Sequence, residues 1–275
     1  MAEQVQVGNV TIMAVPDTGV SGSRPFMFPG VPEESWEPWR HYFNPRGNLR
    51  MNIGTFAIRS DGRTILVDTG LGETQREGYP QGNLLTNLRG EGITLEDVDL
   101  VLITHLHLDH VGWNTVERDG VRIPTFPNAR YLIVRDEWEA FTTREDLRTQ
   151  IHIQECVLPL EGTGQLDLVE GTHAVTPELT LVPAPGHTPA HACVAVVSGG
   201  EKAMIVGDLA HHPVQLTETA WEMAFDMDKT LAKESRERLA QRLEEEGVLA
   251  IGGHFPPPGF GRVVRLNGRR LWQAL

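Results

Sequence analysis

The sequence predicts a mixed α/β fold in which two β-sheets pack face to face and helices cover the outside. Three observations predict it. Alternating or β-branched runs recur in both halves of the chain, at residues 5–15, 51–59, 64–67, 98–103 and 131–134, then at 179–182, 192–197, 203–206 and 248–251. Helical stretches follow strands in each half, at 82–89, 135–150 and 230–246. The residues capable of chemistry collect just past the strands, where loops converge on one edge of a sheet.

Taken in order, residues 5–15 and 51–59 read as strands, and Ser60-Asp61-Gly62 turns the second into 64–67 as a hairpin. Residues 82–89 form a helix stopped by Gly90. Thr94-Leu95-Glu96-Asp97 has the spacing of a capped turn before the buried run 98–103. A short strand at 131–134 leads into a helix at 135–150. In helix 230–246, Leu231, Leu239 and Leu243 share one face and Gly247 ends it. Residues 20–50 do not fit a core element. They are rich in Pro, Gly and aromatics, among them Phe26, Phe28, Trp36, Trp39, Tyr42 and Phe43, and are expected to form a lid or a dimer arm. Trp221, Met223 and Phe225 are expected to line the same pocket.

The chain has 275 residues and a formal charge of -13. No linker, charge block or repeat divides it, so residues 1–275 are expected to be one domain with the 20–50 segment as an insertion. The acidic balance argues against a nucleic-acid partner, which needs a basic surface. No apolar run is long enough to span a bilayer and no secretory pattern is visible, so no membrane role and a cytoplasmic location are expected. Cys156 and Cys193 form neither a metal-spacing pair nor a disulfide framework.

The most informative stretch is Thr104-His105-Leu106-His107-Leu108-Asp109-His110. Three imidazoles and a carboxylate suit borderline metals. In extended backbone His105 and His107 point the same way and can grip one ion. Asp109 and His110 follow where the chain must turn, so they serve a second ion more easily than the first. Further ligand types occupy matching places downstream: His187 in Pro185-Gly186-His187-Thr188-Pro189, Asp208 after the run 203–207, and His254 in Gly252-Gly253-His254-Phe255.

With those four segments in this order, the chain resembles the metallo-β-lactamase superfamily, nearest to its quorum-quenching lactonases and methyl parathion hydrolase group. The resemblance implies a four-layer αββα sandwich and two divalent metal ions, zinc first, with manganese, cobalt or iron also compatible. It implies that His105, His107 and His187 hold one ion, that Asp109, His110 and His254 hold the other, and that Asp208 bridges them. It further implies that Asp68, in Val67-Asp68-Thr69-Gly70, orients a ligand histidine. One departure stands out. Lactonases of this kind carry Tyr three positions after the bridging Asp, and here that position is His211, followed by His212. Either could donate a hydrogen bond to the substrate oxygen.

The expected chemistry is hydrolysis of a small-molecule lactone, ester or phosphotriester by a hydroxide shared between the ions, with Asp109, His211 and His212 as further catalytic candidates. No Gly-x-Ser-x-Gly elbow competes with it. A β-lactam or thioester hydrolase is the rival within the same chemistry. A mononuclear iron dioxygenase on the same fold is the rival from another class, and would need fewer ligands. A homodimer is compatible with the aromatic arm.

Overall fold

The computed structural model describes residues 2–73 and 80–275. Two seven-stranded sheets dominate it. The first runs in the order Gln4–Val7, Val10–Gly22, Leu49–Ser60, Arg63–Val67, Leu100–Leu102, Arg130–Val134, Leu166–Val169. The second runs His173–Ala174, Leu179–Pro183, Ala192–Ser198, Glu201–Ile205, Leu249–Ile251, Phe260–Leu266, Arg269–Ala274. Their inner faces share one apolar core, with Ile12, Ile58, Ile65 and Leu102 from the first sheet against Leu181, Val194, Ile205 and Ile251 from the second.

Helices cover both outer faces. Leu84 and Leu88 of helix Leu84–Gly90, with Trp138 and Phe141 of helix Arg135–Thr143, pack on the first sheet. Leu239, Ala240 and Leu243 of helix Lys229–Glu245 pack on the second. This is the expected four-layer αββα order. Arg63–Val67 runs parallel to Leu100–Leu102, and Glu201–Ile205 parallel to Leu249–Ile251. Parallel neighbours end on the same edge of their sheet. The segments that follow them, carrying Asp68, the histidine motif, Asp208 and His254, therefore emerge at strand ends, the usual place for a site in such folds.

Four expectations change. The first strand is two, folded at Gly8, because residues 4–7 and 10–22 pair antiparallel. The helix expected over 135–150 breaks at Arg144, whose backbone is extended. Thr142 and Thr143 each turn a hydroxyl back to a carbonyl four residues earlier, which weakens helix continuation. Leu231 is only half-buried, and the buried seam of its helix runs through Ala232, Ser235, Arg236, Leu239, Ala240 and Leu243. Within 20–50, strands Val10–Gly22 and Leu49–Ser60 stay paired up to Gly22 and Leu49. Only the excursion between them is irregular. Its helices Arg24–Met27 and Glu33–Tyr42 bury Met27, Phe28, Trp36 and Trp39 against Val214 and Met223 of the same chain. Among the described residues, no helix is long and apolar enough to cross a membrane.

Candidate metal centre

Strand Leu100–Leu102 delivers the histidine motif. The backbone N–H of Thr104 donates to Asp68 Oδ1 at 2.8 Å and its hydroxyl to Oδ2 at 2.8 Å, which fixes the chain where it leaves the sheet. His107 is extended and caps the short helix Leu108–Val111, and that helix swings Asp109 and His110 away from it. The turn expected between the two ligand pairs is this helix.

Four overlapping ligand groups result, and two of them contain six of the expected ligands. Ring nitrogens of His105, His107 and His187 converge, and nitrogens and oxygens of Asp109, His110 and His254 converge beside them. Asp208 stands between. Its Oδ2 lies 3.4 Å from His187 Nε2 and 3.7 Å from His105 Nε2, while Oδ1 lies 3.3 Å from His110 Nε2 and 3.2 Å from His254 Nε2. All seven expected ligand residues are therefore brought together.

Partners behind the rings choose the tautomers. His110 Nδ1 donates to Asp68 Oδ2 at 2.8 Å, His187 Nδ1 to Asp226 Oδ1 at 3.0 Å, and His254 Nδ1 to the Asn52 carbonyl at 2.8 Å. With a cation bound and the rings neutral, each bond would leave Nε2 with a lone pair facing the centre. The role expected of Asp68 is thus the one its geometry gives it. Asp68 itself has φ 62°, a left-handed conformation costly for a non-glycine residue and common at functional sites.

Burial sets the charge of the cluster. It holds His105 and His187 well below the usual imidazole range and takes His107 down to about 4. Burial also opposes charge on His110 and His254, but the Asp208 carboxylate, aided by Asp109, overcomes it and raises His254 to about 9. Asp208 stays well below the carboxylate range because the surrounding imidazoles outweigh its own burial.

Three supporting residues escaped the sequence reading. Glu137 is buried in its helix. It accepts from Leu106 N at 3.1 Å and from Ala190 N at 2.9 Å, so one carboxylate ties the His105–His107 loop to the His187 loop. Asp226 lies behind His187 and pairs with the buried Arg236. His191 accepts the N–H of Asp208 on Nε2 at 2.9 Å. That contact explains Gly207, where φ is +54° and a Cβ would stand 2.4 Å from the same nitrogen. Arg236 offered a signal, a guanidinium on a helical face otherwise made of small and apolar residues. Glu137 and Asp226 offered none.

The centre floors a cavity of about 630 Å³ whose walls include Phe26, Met27, Met51, Ile53, Met223 and Phe225. Phe26 and Met27 of the aromatic excursion thus form part of an apolar wall. Trp221 does not line the cavity and packs instead against Trp36 at 4.6 Å. His211 does line it. His212 does not: its Nδ1 accepts from Val214 N at 3.3 Å, and its ring stands edge-on to Tyr42, 4.5 Å between centroids. His212 thus braces the excursion and lies outside the cavity lining, unlike His211.

The model of the metallo-beta-lactamase superfamily matches residues 54–254. The chain belongs to the metallo-β-lactamase superfamily. A curated relative, an N-acyl homoserine lactonase of Bacillus cereus, is 26% identical over 227 residues, 76% of this chain and 84% of that protein. Among solved structures of the superfamily fold, the hydrolase AbOPH superposes with a TM-score of 0.86 at 25% identity, covering 100% of this chain and 97% of that one. The dizinc quorum-quenching lactonase AidC, in complex with a product, superposes with a TM-score of 0.85 at 22% identity over the same shares.

The superfamily's two metal ions fit the residues present. His105 Nε2 and Asp208 Oδ1 are buried and have no hydrogen-bond partner among the described residues. Buried polar atoms rarely stay unpaired in a folded chain, and both of these face the ligand cluster. The imidazole and carboxylate donors suit zinc and its neighbours.

Proposed function

We propose that this chain is a dinuclear metal-dependent hydrolase of lactones bearing an apolar acyl arm, working as one domain. The observation that carries this reading is the pair of ligand groups sharing Asp208 at the floor of a cavity with apolar walls. His105, His107 and His187 would hold one cation and Asp109, His110 and His254 the other. Bound, the two cations would supply a water acidic enough to ionise near neutral pH and a Lewis acid for the carbonyl oxygen.

The chain's own residues do the rest. Asp208 sets the spacing of the two positions through its two oxygens. Phe26, Met27, Met223 and Phe225 hold the acyl arm and exclude water beside the reacting carbonyl. Asp109, a ligand that also lines the cavity, is placed to carry a proton to the alkoxide side of the opened ring. The complete second ligand group supports this reading over the mononuclear dioxygenase, which has no use for it.

The test is turnover by metal-quantified protein on homoserine lactones of graded acyl length, an aryl ester, a phosphotriester and a cephalosporin. Lactone turnover that rises with acyl length and disappears in His107→Ala is expected. Turnover confined to the ester, triester or cephalosporin would replace lactones as the substrate class.

A further inference from the structure

His211 occupies the position where the resembling lactonases carry tyrosine, and its surroundings are not those of a tyrosine hydroxyl. Its ring is buried, and neither Nδ1 nor Nε2 has a hydrogen-bond partner among the described residues. Nε2 nevertheless lies 3.2 Å from Asp208 Oδ2, in a geometry that makes no hydrogen bond. The same oxygen is 3.4 Å from His187 Nε2. Nitrogen and oxygen ligands about 2.1 Å from one ion stand roughly 3.0–3.5 Å from each other, and both separations fall in that interval. Nδ1 or Nε2 of His187 and His211 and an oxygen of Asp208 accordingly form a ligand group in their own right.

The placement of the ring is built. The His211 backbone N–H donates to Gln215 Oε1 at 2.9 Å, and the buried Gln215 amide reaches the Trp221 carbonyl at 3.2 Å. The segment after Asp208 is thereby locked to the segment that carries the cavity wall. A buried imidazole left without a partner is costly, so a cation on Nε2 would recover what the fold gives up.

We infer that His211 is an eighth protein ligand of the centre, binding the same cation as His105, His107 and His187. The inference rests on the two-metal reading above. It makes the two positions unequal. The His105 side receives five protein donors including Asp208, and the Asp109 side receives four. The five-donor position favours ions that accept more than four ligands, cobalt, manganese or ferrous iron, over tetrahedral zinc.

Cobalt(II)-loaded protein tests this, because four-coordinate cobalt absorbs visible light strongly and higher-coordinate cobalt weakly. Metal content and cobalt affinity are measured beside the spectrum for wild type, His211→Phe and His211→Gln. The expected result is visible absorption per ion that rises in His211→Phe as one ion loses a ligand, with affinity for that ion about 10–100-fold lower, at least what loss of a supporting contact costs. Should His211→Phe fail to fold, His211→Gln gives the same readout with a polar side chain of smaller reach. Unchanged spectra and affinities in a folded variant, with only turnover reduced, would overturn the inference and make His211 a substrate contact. A wild-type protein that binds fewer than two cobalt ions would instead overturn the two-metal reading, and the inference with it.

Discussion

Arg236 Nη2 lies 2.9 Å from Asp226 Oδ2, and both side chains are buried. The other oxygen of Asp226 holds His187 Nδ1 at 3.0 Å. Arg236 also donates to the Leu209 carbonyl at 2.7 Å, one residue after Asp208. Helix Lys229–Glu245 therefore reaches the centre twice through a single guanidinium, once behind a histidine ligand and once behind the bridging carboxylate. Burial alone would raise Asp226, but His187 and Arg236 draw it down to about 2, so it remains a carboxylate able to orient the ring.

Arg236→Met removes the cation and strands that carboxylate. The expected cost is about 3–5 kcal/mol of folding stability, the usual loss when one partner of a buried pair is deleted. Urea unfolding with metal removed measures it. Asp226→Asn keeps the volume but weakens the orientation of His187, and metal affinity should fall about 10–100-fold. A loss of less than about 1 kcal/mol in Arg236→Met would mean that the pair stabilises nothing.

Glu137 gives a pH dependence with a definite sign. Burial pushes its carboxyl up to about 7, against the backbone donors of Ala190 and Leu106. Between its ordinary value near 4.5 and about 7 the native chain keeps a proton that the unfolded chain has released. Stability from this group therefore falls as pH rises through that window, by at most about 3 kcal/mol at 1.36 kcal/mol per unit. Other titrating groups cancel when wild type is compared with Glu137→Gln. The stability advantage of wild type over the variant should be largest near pH 4.5, narrow toward pH 7 and then level off. An advantage that widens with pH would contradict the environment described for Glu137.

Much of this architecture is legible in the sequence, for identifiable reasons. The ligands announce themselves because metal chemistry restricts residue types and the strands restrict spacing. Two hairpins were missed although their turns were readable. Asp119-Gly120 joins Thr115–Arg118 to Val121–Pro124, and Asn267-Gly268 joins Phe260–Leu266 to Arg269–Ala274. All four turn residues have positive φ, the signature of the tight turn that these dipeptides favour. Glu137 and Asp226 were illegible for a different reason. A lone carboxylate 30 or 40 residues from its partner leaves no local pattern, and its meaning exists only after the sheets stack.

The division into two ligand groups predicts unequal loss of metal. His254→Ala removes a donor from the group with Asp109 and His110 and leaves the group with His105, His107 and His187 untouched. Metal analysis of the purified variant should find about one ion per chain, where wild type holds two, with lactone turnover lost. His105→Ala should disturb both groups, because His105 also lies within ligand distance of His110 and Asp208. Equal metal content in His254→Ala and wild type would dissolve the division.

The cavity mouth makes the last prediction. Phe26 and Phe225 meet edge to face, 5.6 Å between centroids, yet 63% of Phe26 and 44% of Phe225 remain exposed. Aromatic surface held at a cavity rim is available to an apolar ligand, and covering it is favourable by about 25 cal/mol per Å². The backbone supports the pair, since Ala224 N donates to the Met27 carbonyl at 2.8 Å and fastens the two wall segments together. A short acyl arm stays near the metals and gains nothing from these rings, whereas a long one reaches them. Phe225→Ala should therefore lower kcat/KM for a decanoyl lactone about tenfold, within the 1–3 kcal/mol that pocket contacts discriminate, and leave a butanoyl lactone nearly unchanged. The ratio of the two values is the measurement, because it cancels active-enzyme concentration and metal loading. Equal losses on both substrates would show that Phe225 supports the wall without touching the acyl arm.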